Sequence, residues 1–399
     1  MTVDAWHLPW GKETVPHGLL DVIRGCNISC DACYNSLPPS VSTMHEIEEE
    51  LKMLRTHRRL GMVSIVGGEV LLHPDLCRII RLIKKHGLCA QIYTNGLLLD
   101  DVRLGELKKA GLDIISLHIE RGQNRPDLPE NASLDQLRAL WDAKAALIAR
   151  HEIDVGLTMT AFEHRLEEVT HIVSFVNDSP HINYLLVTLF RDTDRFSDIR
   201  GGLLSGELRG ALREPPRRRA DTLTNAQMNR LLHERLSLRP FGFLGSNKNP
   251  GDPRWLSYLV ATRRNRRGEV VKYAAKASAF EKAFLALSLR FAGRYPMYRR
   301  QSTPQLIVHL TLNALAGGDF LGNMKFLIGS LLSPGRLGAK RLLFQCPAEV
   351  EADGTVVHCE NCPDAVVKNG ELIPVCLADK VAVDSDGNHH SYAHQDPVR

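Results

Sequence analysis

Three cysteines crowd into eight residues, Cys26-Asn-Ile-Ser-Cys30-Asp-Ala-Cys33. Soft thiolates this close together select zinc or an iron–sulfur cluster. Three are one ligand short of a closed four-thiolate site, so a four-iron cluster on them would keep one iron open to a non-protein ligand. The simpler alternatives are a zinc knuckle lacking its fourth ligand and a redox Cys-x-x-Cys pair. A second group follows near the C-terminus: Cys346, Cys359, Cys362 and Cys376, with His358 beside Cys359 as an alternative ligand. The Asp353-Gly354 turn between residues 348–350 and Val356-Val357 predicts a β-hairpin that carries Cys346 toward Cys359 and Cys362. Four thiolates can close a structural zinc site or saturate a second cluster. Cys77 and Cys89 fall in a predicted helix and strand and read as core packing.

The elements that position the first triad alternate from residue 18 to about 190. Leu19-Leu20-Asp21-Val22-Ile23 is a strand leading into the cysteine loop, and Thr43-Met-His-Glu46 is a capping box before apolar positions at helical spacing. Further apolar runs begin at Met62, Cys89, Ile114, Ile153 and Ile182, separated by amphipathic helices, one of them capped by Ser133 and Gln136. Near-continuous apolar strands between helices predict a parallel sheet covered by helices. In such sheets ligands bind at the carboxyl ends of the strands. Those ends carry Cys26–Cys33, then Gly67-Gly68-Glu69, then Thr94-Asn95-Gly96, with Ser116 on the fourth strand.

The order of these segments resembles the radical S-adenosylmethionine (radical SAM) superfamily. Cys-x3-Cys-x2-Cys after the first strand is similar to its cluster motif, and Gly67-Gly68-Glu69 to its GGE motif, with Val70 where a proline is usual. The resemblance covers roughly residues 18–190. It implies a partial (βα)6 TIM-like barrel and a [4Fe–4S] cluster on Cys26, Cys30 and Cys33 whose open iron chelates SAM. It also implies reductive cleavage to a 5′-deoxyadenosyl radical that abstracts substrate hydrogen, with electrons from an external donor such as flavodoxin or ferredoxin. Gly67, Gly68 and Glu69 would hold the SAM ammonium, Thr94 and Asn95 would lie beside the cofactor, and Ser116 would meet its ribose. The residue before the third cysteine, commonly aromatic, is Ala32; Tyr34 is the candidate for adenine instead. Gly156 and Glu163 match only the ends of the family's fifth-strand pattern. The tail, Cys-x7-Gly-x4-Cys and further cysteines, looks like the SPASM or shorter twitch extension. Four cysteines fit a single auxiliary [4Fe–4S] cluster on Cys346, Cys359, Cys362 and Cys376, with structural zinc the alternative.

Charge isolates the middle of the chain. Residues 201–300 hold 21 Lys and Arg against 7 Asp and Glu, within a chain of net charge +4. Arg217–Arg219, Arg263–Arg267 (interrupted by Asn265) and Arg299-Arg300 are dense basic runs. Between them, Phe280, Phe284, Leu287 and Phe291 line one amphipathic helix and Leu306, Val308, Leu312 and Leu315 another. The expected organisation is a core at 1–190, a basic, mostly helical cover at 191–340 and a cysteine-rich extension at 341–399. Such a cover suits an anionic or amphiphilic substrate, a phospholipid or polyprenyl phosphate, with peripheral membrane contact. Nucleic acid fits less well, because few aromatics interleave with the arginines.

An odd, clustered set of nine cysteines argues against a disulfide framework and for metal binding in a reducing cytosol. The N-terminus lacks signal-peptide features, and no window offers about 18 uninterrupted apolar residues. The alternatives are a peptide- or metabolite-modifying enzyme with a zinc tail, and a non-catalytic metal scaffold that binds nucleic acid or membrane. No catalytic side chain is assignable from the sequence.

Overall fold

The computed structural model describes residues 3–33, 35, 39–191, 223–296, 301–332, 337–351, 355–368 and 370–378, with two-residue strands at 382–383 and 389–390. Tyr34, Arg217–Arg219, Arg299-Arg300 and the Asp353-Gly354 turn lie outside these residues.

After β1 (Trp6–His7) six strands alternate with five helices: β2 (His17–Ile23), α1 (Met44–His57), β3 (Met62–Gly67), α2 (Leu76–Lys85), β4 (Cys89–Thr94), α3 (Asp101–Ala110), β5 (Ile114–His118), α4 (Leu134–Arg150), β6 (Asp154–Ala161), α5 (Leu166–Asp178) and β7 (Ile182–Leu189). Both expected capping boxes form, Thr43 with Glu46 on α1 and Ser133 with Gln136 on α4. Strands β2 to β7 pair in sequence and in parallel. Alternate side chains go to opposite faces. Leu20, Val22, Ile65, Ile92 and Leu117 join the core shared with α1–α5, including Ile47, Leu51 and Ile79. The other face carries Ser64, Gln91, Tyr93, Ser116 and Tyr184.

The sheet then departs from the expected plan. Past α6 (Asn225–Leu236), the region read as mostly helical contributes β8 (Gly242–Leu244), β9 (Trp255–Arg264) and β10 (Val270–Ala275) before α7 (Ala279–Ala292), α8 (Thr303–Leu315) and α9 (Phe320–Leu331). A later strand, β11 (Gly338–Gln345), lies between β7, to which it is parallel, and β9, to which it is antiparallel. Trp255 to Ala261 is buried without a break, so no period of two marks it as a strand. The basic run Arg263–Arg267 therefore ends β9 and enters the turn of the β9–β10 hairpin.

The cysteine-bearing tail holds β12 (Glu349–Val350), β13 (Val356–Val357), β14 (Ala365–Lys368) and β15 (Glu371–Pro374). β12 and β13 pair antiparallel, as the hairpin expectation requires. This tail covers the sheet face turned away from α1–α5: Val366 and Ala378 pack on Leu19 and Val66, and Cys359 packs with Leu186, Trp255 and Leu343. Arg58, buried at the end of α1, holds it by donating to the carbonyls of Cys362 and Pro363 while also binding His17 O.

Candidate functional site

Residues 24–33 leave the carboxyl end of β2 as a loop clamped from two sides. On one side Gly68 N donates to Ile23 O (2.6 Å) and Glu69 N to Gly25 O (2.9 Å). This approach requires glycine: Gly67 has φ +146°, and a Cβ on Gly68 would stand 2.2 Å from Gly25 O. On the other side Asp31 N donates to Gly122 O (2.9 Å) and Asn124 Nδ2 to Ser29 Oγ (2.9 Å). Cys26 and Cys33 are exposed and Cys30 is half-buried, with Cys33 N donating to Cys30 O at 3.2 Å. Burial, followed by the neighbouring Cys33, Glu120 and Cys26, pushes the Cys30 thiol up to about 12, against a hydrogen bond from Gln123. Bound cations reverse that bias, since a coordinating thiol is deprotonated.

Glu69, Thr94 and Asn95 form one cluster behind this loop. The buried Glu69 carboxylate accepts from Leu71 N (2.9 Å), Thr94 Oγ1 (2.7 Å) and Asn95 N (2.8 Å). Burial raises its pKa, while those donors and Arg125 pull it down. Asn95 Nδ2 donates to Asn27 Oδ1 (2.7 Å) and lies 4.0 Å from Cys26 Sγ. The GGE and TNG segments thus brace the cysteine loop from successive strand ends.

Ser116 sits deeper. Its Oγ accepts from Gln91 Nε2 (2.6 Å), Gln91 Oε1 accepts from Ser64 Oγ (2.9 Å), and Ser64 Oγ bonds His17 Nε2 (2.8 Å). His17 Nδ1 reaches Asp364 Oδ1 of the tail at 3.1 Å. These residues cross β2 to β5 on the tail-covered face. Gly156 continues the row on β6, where a Cβ would stand 2.6 Å from Tyr184 Cδ1 and 2.9 Å from Ser116 Oγ. Glu163 is exposed in the turn after β6.

The loop after β5 is a further part of the site, and no motif pointed to it. Residues 120–126 and 128–130 line a cavity of about 410 Å³ beside the cysteine loop, within the usual size of small-molecule sites. Glu120 accepts from Thr160 N (2.6 Å) and lies 3.2 Å from His118 Nε2. Gln123 Oε1 accepts from Glu120 N (3.0 Å) and Arg125 Nη1 (3.1 Å), and Arg125 Nη2 donates to Asn95 O (3.0 Å). The signal available was Glu-Arg-Gly-Gln-Asn-Arg-Pro-Asp, seven polar or glycine residues and one proline, separated by one residue from the end of a strand.

The four tail thiols gather around one another. Ala348 N donates to Cys376 Sγ (3.4 Å), and Cys359 donates to Cys346 O at 3.9 Å. A hydrogen bond with Cys362, then burial, drives Cys359 well above the ordinary thiol range; burial, then Cys362, pushes Cys376 up to about 12. Cys346 Sγ receives Arg191 Nη2 (3.0 Å) and Arg254 Nη1 (3.3 Å), both of which also bind Glu349. His358 turns its Nδ1 to Cys359 O instead of the thiols. In donor type both cysteine sets suit a thiophilic metal centre. Among the described residues, no three His, Cys, Asp or Glu side chains already stand in shared metal-ligating geometry.

Residues 20–174 match the description of the radical SAM superfamily. The GTP 3′,8-cyclase of Chlorobaculum tepidum is 31% identical over 114 residues, 27% of this chain and 34% of that protein. The PqqA peptide cyclase of Gluconobacter oxydans is 27% identical over 161 residues, 39% of this chain and 43% of that protein. The chain thus spans less than half the length of these relatives. The crystal structure of Streptococcus suis SuiB bound to S-adenosylmethionine aligns with a TM-score of 0.36 at 15% identity, covering 47% of this chain and 42% of that one.

Proposed function

As residues 20–174 make this chain a member of the radical SAM superfamily, we propose that it is an enzyme whose Cys26, Cys30 and Cys33 hold a [4Fe–4S] cluster with SAM on its open iron. When bound, that pair supplies one-electron cleavage of SAM to methionine and a 5′-deoxyadenosyl radical able to abstract substrate hydrogen. The observation that carries the reading is the placement of three thiols on one loop, clamped by Gly68 and Gly122 and opening beside a 410 Å³ cavity. The protein's part is to bind, orient and exclude water. Gly67, Gly68 and Glu69 present the amino-group site. Thr94 and Asn95 keep that segment against Cys26, Ser116 faces the ribose, and Tyr34 serves adenine. Electrons come from an external donor such as flavodoxin or ferredoxin.

The tail thiols Cys346, Cys359, Cys362 and Cys376 bind a second [4Fe–4S] cluster in this proposal, with structural zinc the alternative. Burial raises the Cys346 pKa on balance, and the Arg191 and Arg254 guanidiniums offset part of that rise and would pair with a metal-bound thiolate. The substrate is anionic or amphiphilic, a lipid or polyprenyl phosphate presented at a membrane surface. A peptide substrate is the second reading, favoured by the similarity to a peptide cyclase.

Anaerobic reconstitution followed by dithionite reduction tests the enzyme. Production of 5′-deoxyadenosine from SAM is expected, and its loss in Cys30→Ala with the fold retained. No cleavage by the reconstituted wild type would sink the proposal. The triple Cys26/Cys30/Cys33→Ala variant is expected to retain about four irons per chain; zinc without iron decides for the structural tail.

A further inference from the structure

Helix α7 is built inside out, and α8 and α9 leave a second apolar face outside. The buried residue of α7 is Glu281, 5% exposed, while Phe284, Leu287 and Phe291 on the same helix face outward. Glu281 accepts from Ser278, His309 and Asn313, and Asn313 Oδ1 accepts from Asn323 Nδ2 at 2.8 Å. Hydrogen bonds thus link the polar side chains that join the three helices. α8 and α9 also pack on the sheet through Leu306, Leu310, Phe326 and Leu327. Their remaining apolar positions point outward, Leu315 at 72%, Leu321 at 79% and Leu331 at 83% exposed. Of the sixteen large hydrophobics exposed among the described residues, twelve lie between Phe284 and Leu332. A large exposed apolar patch is informative in a way that single exposed side chains are not.

Charge identifies what covers it. The β9–β10 turn places Arg264, Arg266 and Arg267 at the rim, and Arg266 Nε donates to Leu332 O (3.1 Å) at the end of α9. Lys276, Lys282, Arg290, Arg294 and Lys325 add to the same lobe. From Lys276 to Leu332 its only acids are Glu281, buried, and Asp319. Protruding apolar side chains with a basic rim are the pattern of a surface that lies in a membrane interface. No helix among the described residues is long and apolar enough to cross a membrane, and these three have 14, 13 and 12 residues.

We propose that α7–α9 and the Arg264–Arg267 turn seat the protein on the surface of a bilayer bearing anionic headgroups, with Phe291, Leu321 and Leu331 entering the acyl boundary. This deepens the amphiphilic-substrate reading above but can fail separately from it, because vesicle binding is read without SAM or reductant.

The test floats the full-length protein with vesicles of phosphatidylcholine alone or mixed with phosphatidylglycerol. Binding to the mixed vesicles is expected, weakening as salt is raised. Arg264→Ala/Arg266→Ala/Arg267→Ala should lose about 100-fold in affinity, three charges each contributing about 1 kcal/mol at an anionic surface. Phe291→Glu/Leu321→Glu/Leu331→Glu should lose at least about tenfold. These positions are exposed, so unchanged thermal unfolding keeps the comparison fair. No binding to either vesicle, or binding indifferent to both variants, overturns the proposal. So does a dimer in sedimentation that the glutamate variant dissolves while the wild type ignores vesicles; the patch is then an interface between copies of the chain.

Discussion

His17 at the start of β2 and Asp364 in the cysteine-bearing tail meet at 3.1 Å, through Nδ1 and Oδ1. The contact joins the tail to a row of side chains, His17, Ser64, Gln91 and Ser116, that crosses four parallel strands. The tail is therefore anchored from within the sheet as well as laid over it.

Asp364→Ala should expose that anchoring. It leaves His17 Nδ1 without its carboxylate, a loss of about 1–3 kcal/mol for a buried polar group. Denaturant unfolding should register the loss, and limited proteolysis should cut residues 346–378 faster. Equal cleavage rates in variant and wild type would mean that Arg58 and the tail's apolar packing hold it without this contact.

Gly68→Ala tests the clamp on the cysteine loop. Its Cβ would stand 2.2 Å from Gly25 O, a backbone atom with little room to yield. Overpacking of this kind costs typically about 1–3 kcal/mol. Iron bound after reconstitution should fall with it, while Gly105→Ala, on an open helix face, serves as the control. Full iron loading in Gly68→Ala would show that the loop's root is not held by this contact.

Glu69→Gln keeps the shape but turns an acceptor into a donor facing Thr94 Oγ1 or Asn95 N. The expected cost is about 1–3 kcal/mol, with weaker SAM binding by equilibrium dialysis and unchanged metal in the tail. If SAM affinity holds, the brace between β3 and β4 does not shape the cofactor site.

Glu50 on α1 gives a pH signature. Burial pushes its carboxyl from 4.5 up to about 8, with Asp21 adding and Lys368 and Arg24 opposing. Between those values the folded chain keeps a proton that the unfolded chain has released, so Glu50 lowers stability as pH rises through the window. Glu50→Gln should match the wild type near pH 5 and gain on it toward pH 8 in urea unfolding. Parallel curves would refute the protonated assignment.

The strand–helix half was legible because its pattern is local. Apolar runs, capping residues at Thr43 and Ser133, and Gly67-Gly68 at a strand end each announce an element within a few residues. The second half was not, because its decisive contacts are distant. β11 enters between β7 and β9, and nothing within residues 338–345 names either neighbour. At the site, Cys26–Cys33, Glu69 and Asn95 could be placed from the order of strand ends. Gln123 and Arg125 could not, since a polar loop carries no period and Arg125's reach to Asn95 O at the end of β4 is a contact distant in sequence. The phenylalanine stripe of α7 was correctly read as one helix face, but periodicity does not say whether that face turns in or out.

The position of β11 also sets a timetable. A ribosome releases β7 long before residues 338–345 exist, and at about 5–20 residues per second the delay is on the order of ten to thirty seconds. Throughout it β7 offers an unpaired parallel edge, the kind of surface that recruits foreign strands. Newly made chains therefore pass through an adhesive stage that ends only when β11 arrives, and slowing translation between residues 190 and 340 would lengthen it.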